Sequence, residues 1–463
     1  MEDSGRALKS IFTSIILRRS WRIFIARAVA LAGLSLVTAT TVASEGSNLK
    51  SSSGADNIIV AKADISRFQT APDALIGKTL EDIRANRLDD ALLEVNRVIA
   101  MHPDFKLAHL IKGDLLTARS RPLAGIGAGS SKARDPQSLP DLRDEARVRL
   151  MHFIDQPDQS LLPRQILKLA SHQQYALLAD ASRARLYLFE NVDGEPRLKR
   201  DYYMTIGRNG TDKRVEGDRR TPIGVYHITS QLPRDKLADL YGTGAFPLNY
   251  PNAWDKLQGR GGYGIWLHGV PSNTYSRPPR SSEGCVVVTN PDLDELSQWI
   301  QVGITPVVIV DRAEWVNRDE WIASRDALEN ELAQWQTRWQ QKDVDGFLSH
   351  YDASFLQERN WASSKRRNIE NKEWIKLNVR DASLFIYPGG DMAYGEFLQD
   401  YESDRFHSTS LKRMYWKKHD GQWRIALEIS DKAPNSQVAA RQTGRANLTS
   451  NVTRNVTSNL TSQ

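Results

Sequence analysis

The spacing of apolar residues changes twice along this chain of 463 residues, which excludes one uniform architecture. Between Ala74 and Arg119, Leu80, Ile83, Leu88, Ala91, Leu92, Val95 and Ile99 recur at helical intervals. From Tyr175 the apolar residues gather in short runs cut by turns, the texture of strands. Near Trp315 the helical period returns for one long segment and then gives way to strands again. The length is about three typical domains, in agreement with three textures.

The helical part is assigned to residues 71–165. Pro103 breaks its first run, and a second helix is expected through Ala108, Ile111, Leu115 and Leu116. Two helices meeting at a proline, with the small residues Ala91 and Ala108, resemble one tetratricopeptide-type unit; a plain helical hairpin fits equally well. One such unit cannot bury its faces alone, so it must pack on another part of the chain or on a second subunit. Pro122, Gly125, Gly127, Gly129, Ser130 and Ser131 mark a loop, with a short helix expected around Leu142–Phe153.

The start of the chain reads as an address. Arg18, Arg19, Arg22 and Arg27 precede an apolar run from Ala28 to Ala43 that ends in small residues. This is the pattern of an export signal, cleaved after Ala43 or kept as a membrane anchor. Arg18-Arg19 weakly resembles a twin-arginine signal, and no cysteine follows to carry a lipid. The expectation is a protein exported to the periplasm or cell envelope, with an inner-membrane anchor if the segment is retained. Residues 44–70, rich in Ser, Gly and Asn, read as a linker. The +6 formal charge belongs mostly to this address: six basic residues stand against two acidic ones in 1–43, leaving about +2 elsewhere. No concentrated basic surface argues for nucleic acid.

Residues 170–312 form the middle block. Strands are expected at Tyr175–Ala179, Arg185–Phe189, Asp201–Ile206, Val225–Thr229, Ile265–His268, Val286–Val288 and Pro306–Val310, with a hairpin turn at Asp193-Gly194. The third block, 315–430, opens with a helix that places Ile322, Leu328, Leu332, Trp335 and Trp339 on one side. Strands follow at Lys376–Ile386, Met392–Tyr401, Ser410–His419 and Trp423–Ile429. One helix on a curved antiparallel sheet resembles the nuclear-transport-factor-2-like (NTF2-like) cone, with Trp335, Trp339, Phe347, Tyr351, Phe355, Trp416, Trp423 and Glu428 as the supporting residues. Such a cone has room for a ligand. No acid–base pair stands out in it, and His350, His407 and His419 read as isolated. The tail, 431–463, carries Asn-x-Thr repeats at Asn447, Asn451, Asn455 and Asn459 and is expected to be disordered.

The single cysteine, Cys285, excludes an internal disulfide and a thiolate zinc cluster. It follows Ser281-Ser282-Glu283-Gly284 at a loop-to-strand transition. A thiol needs a base to react at neutral pH, and His268 ends an apolar strand upstream. Residue types alone leave a buried small side chain and a nucleophile equally open.

His268-Gly269 followed by Ser282-x-Gly284-Cys285, with Thr221-Pro222-x-Gly224 upstream, resembles the L,D-transpeptidase (YkuD-like) catalytic domain of bacterial cell-wall enzymes. The resemblance covers about 175–312. It implies Cys285 as nucleophile and His268 as general base and then acid. It further implies that the Gly269 carbonyl orients the imidazole, that the Gly284 and Cys285 amides hold the oxyanion, and that Ser282 steadies the loop. Tyr250 is a weaker substrate-side candidate, packing under a proline-rich loop being the simpler reading. Many members have His before the Gly-Cys pair and Arg or Asn two residues after Cys; here those places hold Glu283 and Val287. Arg277 and Arg280 could bind substrate carboxylates in place of that arginine, although solvated loop charges are the simpler account. Lys213, Arg214, Arg219 and Arg220 read as a wetted face.

The expected fold is therefore multidomain: a TPR-like helical hairpin, a mostly-β YkuD-like domain and an α+β NTF2-like cone. The implied chemistry is thioester formation on the tetrapeptide stem of peptidoglycan, without metal or cofactor. An amine acceptor gives a 3→3 cross-link; water gives L,D-carboxypeptidase trimming, which the NTF2-like fusion resembles in enzymes that set helical cell shape. A non-catalytic wall-binding scaffold is the alternative outside enzymes. A protein partner or self-association through the helical and NTF2-like parts completes the expected partners.

Overall fold

The computed structural model describes residues 71–129, 137–357 and 360–433. The export segment and linker (1–70) and all but the first few residues of the tail lie outside the described residues. No helix among the described residues is long and apolar enough to cross a membrane.

Four helices come first: α1 (Pro72–Arg84), α2 (Leu88–Met101), α3 (Lys106–Ala118) and α4 (Ser138–Ile154). The expected first helix is in fact two. Asn86 takes a left-handed conformation (φ 60°) that ends α1 and turns the chain into α2; asparagine adopts it at low cost because its short side chain bonds locally. The helical region also stops at Ile154, short of 165. α1 packs on α2 and α4, and α3 packs on α2 and α4. Their core of Ile76, Leu80, Ala91, Val95, Phe105, Ala108, Ile111 and Ala146 also takes in Tyr275 from the middle block. The hairpin therefore buries its faces within this chain.

Strands β1 (Leu162–Pro163) and β2 (Ile166–Lys168) follow, and neither joins the sheet that comes next. That sheet contains β3 (Tyr175–Asp180), β4 (Arg185–Val192), β5 (Glu195–Gly207), β6 (Gly224–His227), β7 (Leu232–Pro233) and β8 (Gly244–Pro247). After the short helix α5 (Ala253–Leu257) come β9 (Trp266–His268), β10 (Arg280–Ser282) and β11 (Val286–Val288). Helix α6 (Asn290–Ser297) and strand β12 (Pro306–Val310) complete the block. The strand order is β6-β12-β3-β4-β5-β11-β9-β8-β7, with β10 beside the end of β5. Strands β9 and β11 run parallel, pairing Leu267 with Val286 and His268 with Val287, which brings the two candidate catalytic segments side by side.

The runs Tyr175–Asp180 and Pro306–Val310 are apolar without alternation because both faces of their strands are covered. Leu177, Ala179, Leu186 and Leu188 face the core of this domain. Ala176, Leu178, Tyr187 and Phe189 face a second core shared with the C-terminal sheet.

After β13 (Trp315–Val316), helix α7 (Arg318–Gln340) starts at an Asn317 cap that accepts from the Glu320 amide at 2.9 Å. Helices α8 (Val344–Leu348), α9 (Ala353–Leu356) and α10 (Trp361–Glu370) add Phe347, Phe355 and Ile369 to the core of a cone. Its wall is the meander β14 (Ile375–Ile386), β15 (Met392–Ser403), β16 (His407–His419) and β17 (Gln422–Lys432). Leu384 and Ile386 point into the cone with Phe397, Met414 and Trp416; Phe385, Tyr394 and Tyr415 point out to the middle domain. Trp254 of α5 stacks on Tyr415 with ring centroids 5.6 Å apart. β2 pairs with β14, so a segment preceding the middle domain supplies the fifth strand of the C-terminal sheet. β1 likewise pairs with β13.

Candidate active site

Cys285 stands where the chain leaves a tight loop and enters β11. Its thiol donates to the Gly264 carbonyl at 3.3 Å. Burial pushes the thiol pKa up, against the Trp266 amide and the positive charges of Arg277 and Lys213. The resting group is a thiol, not a preformed thiolate.

The loop leading to it is drawn tight by two hydroxyls. Ser282 donates to the Cys285 carbonyl at 2.7 Å and accepts from the Gly284 amide at 3.1 Å. Thr221, fully buried, accepts from the Gly207 amide and donates to the Gly284 carbonyl, each at 2.9 Å. Gly284 has φ 128°, and a Cβ there would come within 2.7 Å of the Arg220 carbonyl oxygen. The Gly284 amide, expected to face an oxyanion, is thus already engaged within the loop.

His268 is buried at the end of β9. Its Nδ1 lies 2.6 Å from the Gly269 carbonyl. A carbonyl only accepts, so Nδ1 carries the proton and Nε2 is left as the acceptor. Burial holds the imidazole pKa down at about 4, with the Arg277 charge acting the same way and the Gly269 bond acting against it. At neutral pH the ring is therefore an uncharged base. Tyr241 meets it edge-on at 5.0 Å and also contacts Trp266 at 4.8 Å.

Residues 174–309 match the model of the L,D-transpeptidase catalytic domain family (YkuD), and residues 327–429 match the Cds6 C-terminal NTF2-like domain. The chain carries a YkuD domain joined to an NTF2-like domain. Among solved structures, Bd1075 of Bdellovibrio bacteriovorus is 29% identical, covering 60% of this chain and 100% of that one, with a TM-score of 0.53. A variant of Pgp2, the helical cell shape determining protein of Campylobacter jejuni, is 23% identical over 62% of this chain and 97% of that one, with a TM-score of 0.50. No curated protein matches.

Within the YkuD domain the remaining candidates separate. The Arg277 guanidinium donates to the Ser281 carbonyl, and its charge is felt at both Cys285 and His268. Arg280 is exposed on β10. The hydroxyl of Tyr250 donates to the Gly261 carbonyl at 2.9 Å, and burial with the nearby Asp255 and Asp218 pushes it up to about 12. It fastens the loop that ends at Gly264, which is the packing reading. Glu283 pairs with Arg219 at 3.0 Å.

Lys213 corrects the expectation of a wetted face. It is buried, bound to Asp218 at 2.8 Å and to the Val215 carbonyl at 3.0 Å. Burial alone would raise the Asp218 carboxyl, but Lys213 and the amides of Arg214, Val215 and Arg220 hold it down at about 2. Asn290 was not signalled by any motif. Its side chain accepts from the Val270 amide at 3.0 Å and donates to the Val270 carbonyl at 2.9 Å, fixing the turn after His268. The visible signal was only a Thr-Asn-Pro helix start.

The NTF2-like cone holds charged groups, of which the sequence pattern marks only Glu428. The hydroxyl of Tyr351 donates to Glu428 at 2.6 Å and accepts from Trp335 at 3.0 Å, while Lys412 pairs with the other oxygen of Glu428. Lys365 lies 3.5 Å above the Trp339 ring, and burial lowers its pKa to about 7. His350 meets Glu331 at 2.6 Å and His419 meets Asp352 at 2.7 Å, so neither is isolated. Among the described residues no group of His, Cys, Asp and Glu is arranged to hold a metal.

Proposed function

We propose that this chain is an exported peptidoglycan-modifying cysteine enzyme that cleaves the L,D-peptide bond of the tetrapeptide stem through a thioester on Cys285. The observation that carries this reading is the neutral His268, its Nδ1 spent on Gly269, on the strand that runs beside Cys285. Nε2 takes the thiol proton as Sγ attacks the carbonyl at the L-centre of the diamino acid. The imidazolium then gives that proton to the departing D-Ala amine as the C–N bond breaks, leaving the thioester. The acceptor surrenders its proton to Nε2 and the thiol is restored. With the Gly284 amide engaged, the Cys285 amide is the donor left from the expected oxyanion pair.

An amine acceptor makes this an L,D-transpeptidase. A second reading, with water as acceptor, is L,D-carboxypeptidase trimming. The coupling of a YkuD domain to a Cds6-type NTF2-like domain favours it, because a helical cell shape determining protein is similar in fold over 62% of this chain. Purified protein incubated with disaccharide tetrapeptide decides between them. Tripeptide monomer without dimer supports trimming, and cross-linked dimer supports transfer. The Cys285→Ala variant must form neither; product from that variant refutes the thioester.

A further inference from the structure

The loop from Val270 to Pro279, between β9 and β10, is held from outside the YkuD domain. The Tyr275 ring lies 4.2 Å from His102 and 4.6 Å from Phe105 of the helical region, and its amide reaches the Asp104 carbonyl at 3.4 Å. Ser276 donates to Glu145 of α4 at 2.7 Å. The same carboxylate oxygen accepts from Arg149 at 2.9 and 3.0 Å. Arg149 in turn lies 3.7 Å over the Tyr203 ring, whose hydroxyl donates to the Arg277 carbonyl at 2.9 Å. Thr205 donates to that carbonyl at 3.0 Å. Glu145, Arg149, Tyr203 and Ser276 are all buried.

Three consecutive loop residues thus rest on the helices or on a tyrosine that the helices cover. The last of them is Arg277, whose guanidinium donates to the Ser281 carbonyl, four residues before Cys285, and whose charge is felt at both Cys285 and His268. A flexible arginine discriminates poorly, because fixing its rotamers on binding costs entropy that a prior anchor removes. A buried carboxylate shared by an arginine and a serine is a fixed point of that kind.

We propose that Glu145 is a positioning residue of the active site: through Ser276 it sets Arg277 in place, and Arg277 receives an anionic group of the substrate next to Cys285. The helical region thereby takes part in recognising charge. This rests on Cys285 being the reacting thiol, as in the function proposed above.

The test compares alkylation of Cys285 by iodoacetate, an anion, with alkylation by iodoacetamide, its neutral counterpart. The wild-type protein is expected to favour the anion. Arg277→Ala abolishes the preference, and Glu145→Gln and Ser276→Ala each lower the ratio of iodoacetate to iodoacetamide rates about fivefold, the scale of one hydrogen bond. Adding Glu145→Gln to Arg277→Ala changes nothing further. A wild-type ratio in both Glu145→Gln and Ser276→Ala overturns the proposal, as does a wild-type ratio in Arg277→Ala. Should Glu145→Gln unfold, a wild-type ratio in Ser276→Ala is enough to overturn it. Alkylation needs only the thiol, so a protein that alkylates as expected yet leaves tetrapeptide untouched refutes the proposed function and not this assignment.

Discussion

The hydroxyl of Thr221 donates to the Gly284 carbonyl at 2.9 Å, tying the Thr-Pro-x-Gly segment to the residue before the cysteine. Thr221→Val removes that bond and the one from the Gly207 amide, leaving buried polar groups unpaired at about 1–3 kcal/mol. The expected result is a fall of about tenfold or more in kcat/KM on tetrapeptide, with Thr221→Ser close to wild type. Unchanged turnover in the valine variant would show that the tie is dispensable.

Turnover should persist well into acid. His268 acts as a base only when neutral, and burial holds its pKa at about 4. kcat/KM is therefore expected to be level from about pH 5 to neutrality and to fall as the ring protonates near pH 4. Stability carries the same sign. The folded-state pKa lies below the unfolded value of about 6.5, so this contribution is complete above pH 6.5 and is lost as pH falls toward 4. An acid limb centred near 6.5 would contradict a buried imidazole.

Gly284→Ala tests the loop itself. Alanine at φ 128°, with its Cβ pressed on the Arg220 carbonyl, introduces about 2 kcal/mol or more of strain. Alkylation of Cys285 and turnover should both fall severalfold or more while the helical region stays folded. Wild-type rates would mean that the loop relaxes freely.

Asp73 bridges two arginines, Arg149 and Arg185, whose side chains are almost wholly buried. Asp73→Ala leaves both short of a partner and is expected to destabilise the protein by about 3 kcal/mol in urea unfolding. A change under about 0.5 kcal/mol would show that Asp201 and Glu145 suffice.

Much of this architecture is legible in the sequence wherever a pattern has length. The seven strands expected in the middle block all occur, because each is an apolar run bounded by turn residues. Asp193 and Gly194 both take positive φ at the hairpin, as their residue types foretell. What stayed hidden was short or relational. Ile166–Lys168 is too brief to show a period, and its partner lies in another domain. The break at Asn86 hides inside an unbroken helical spacing. Lys213 looks like any loop lysine until Asp218 and the Val215 carbonyl surround it. Asn290 holds the turn after His268 from a helix start that carries no catalytic motif, so only the contact identifies it.

Ile166 pairs with Phe385, a neighbour far along the chain. Ile166 leaves the ribosome roughly 220 residues before its neighbour exists, and until then β2 has no strand partner and the apolar outer face of β3 and β4 lacks the cone's share of its cover. A chain cut short between the two domains would leave that face bare, prone to aggregation and to proteolysis.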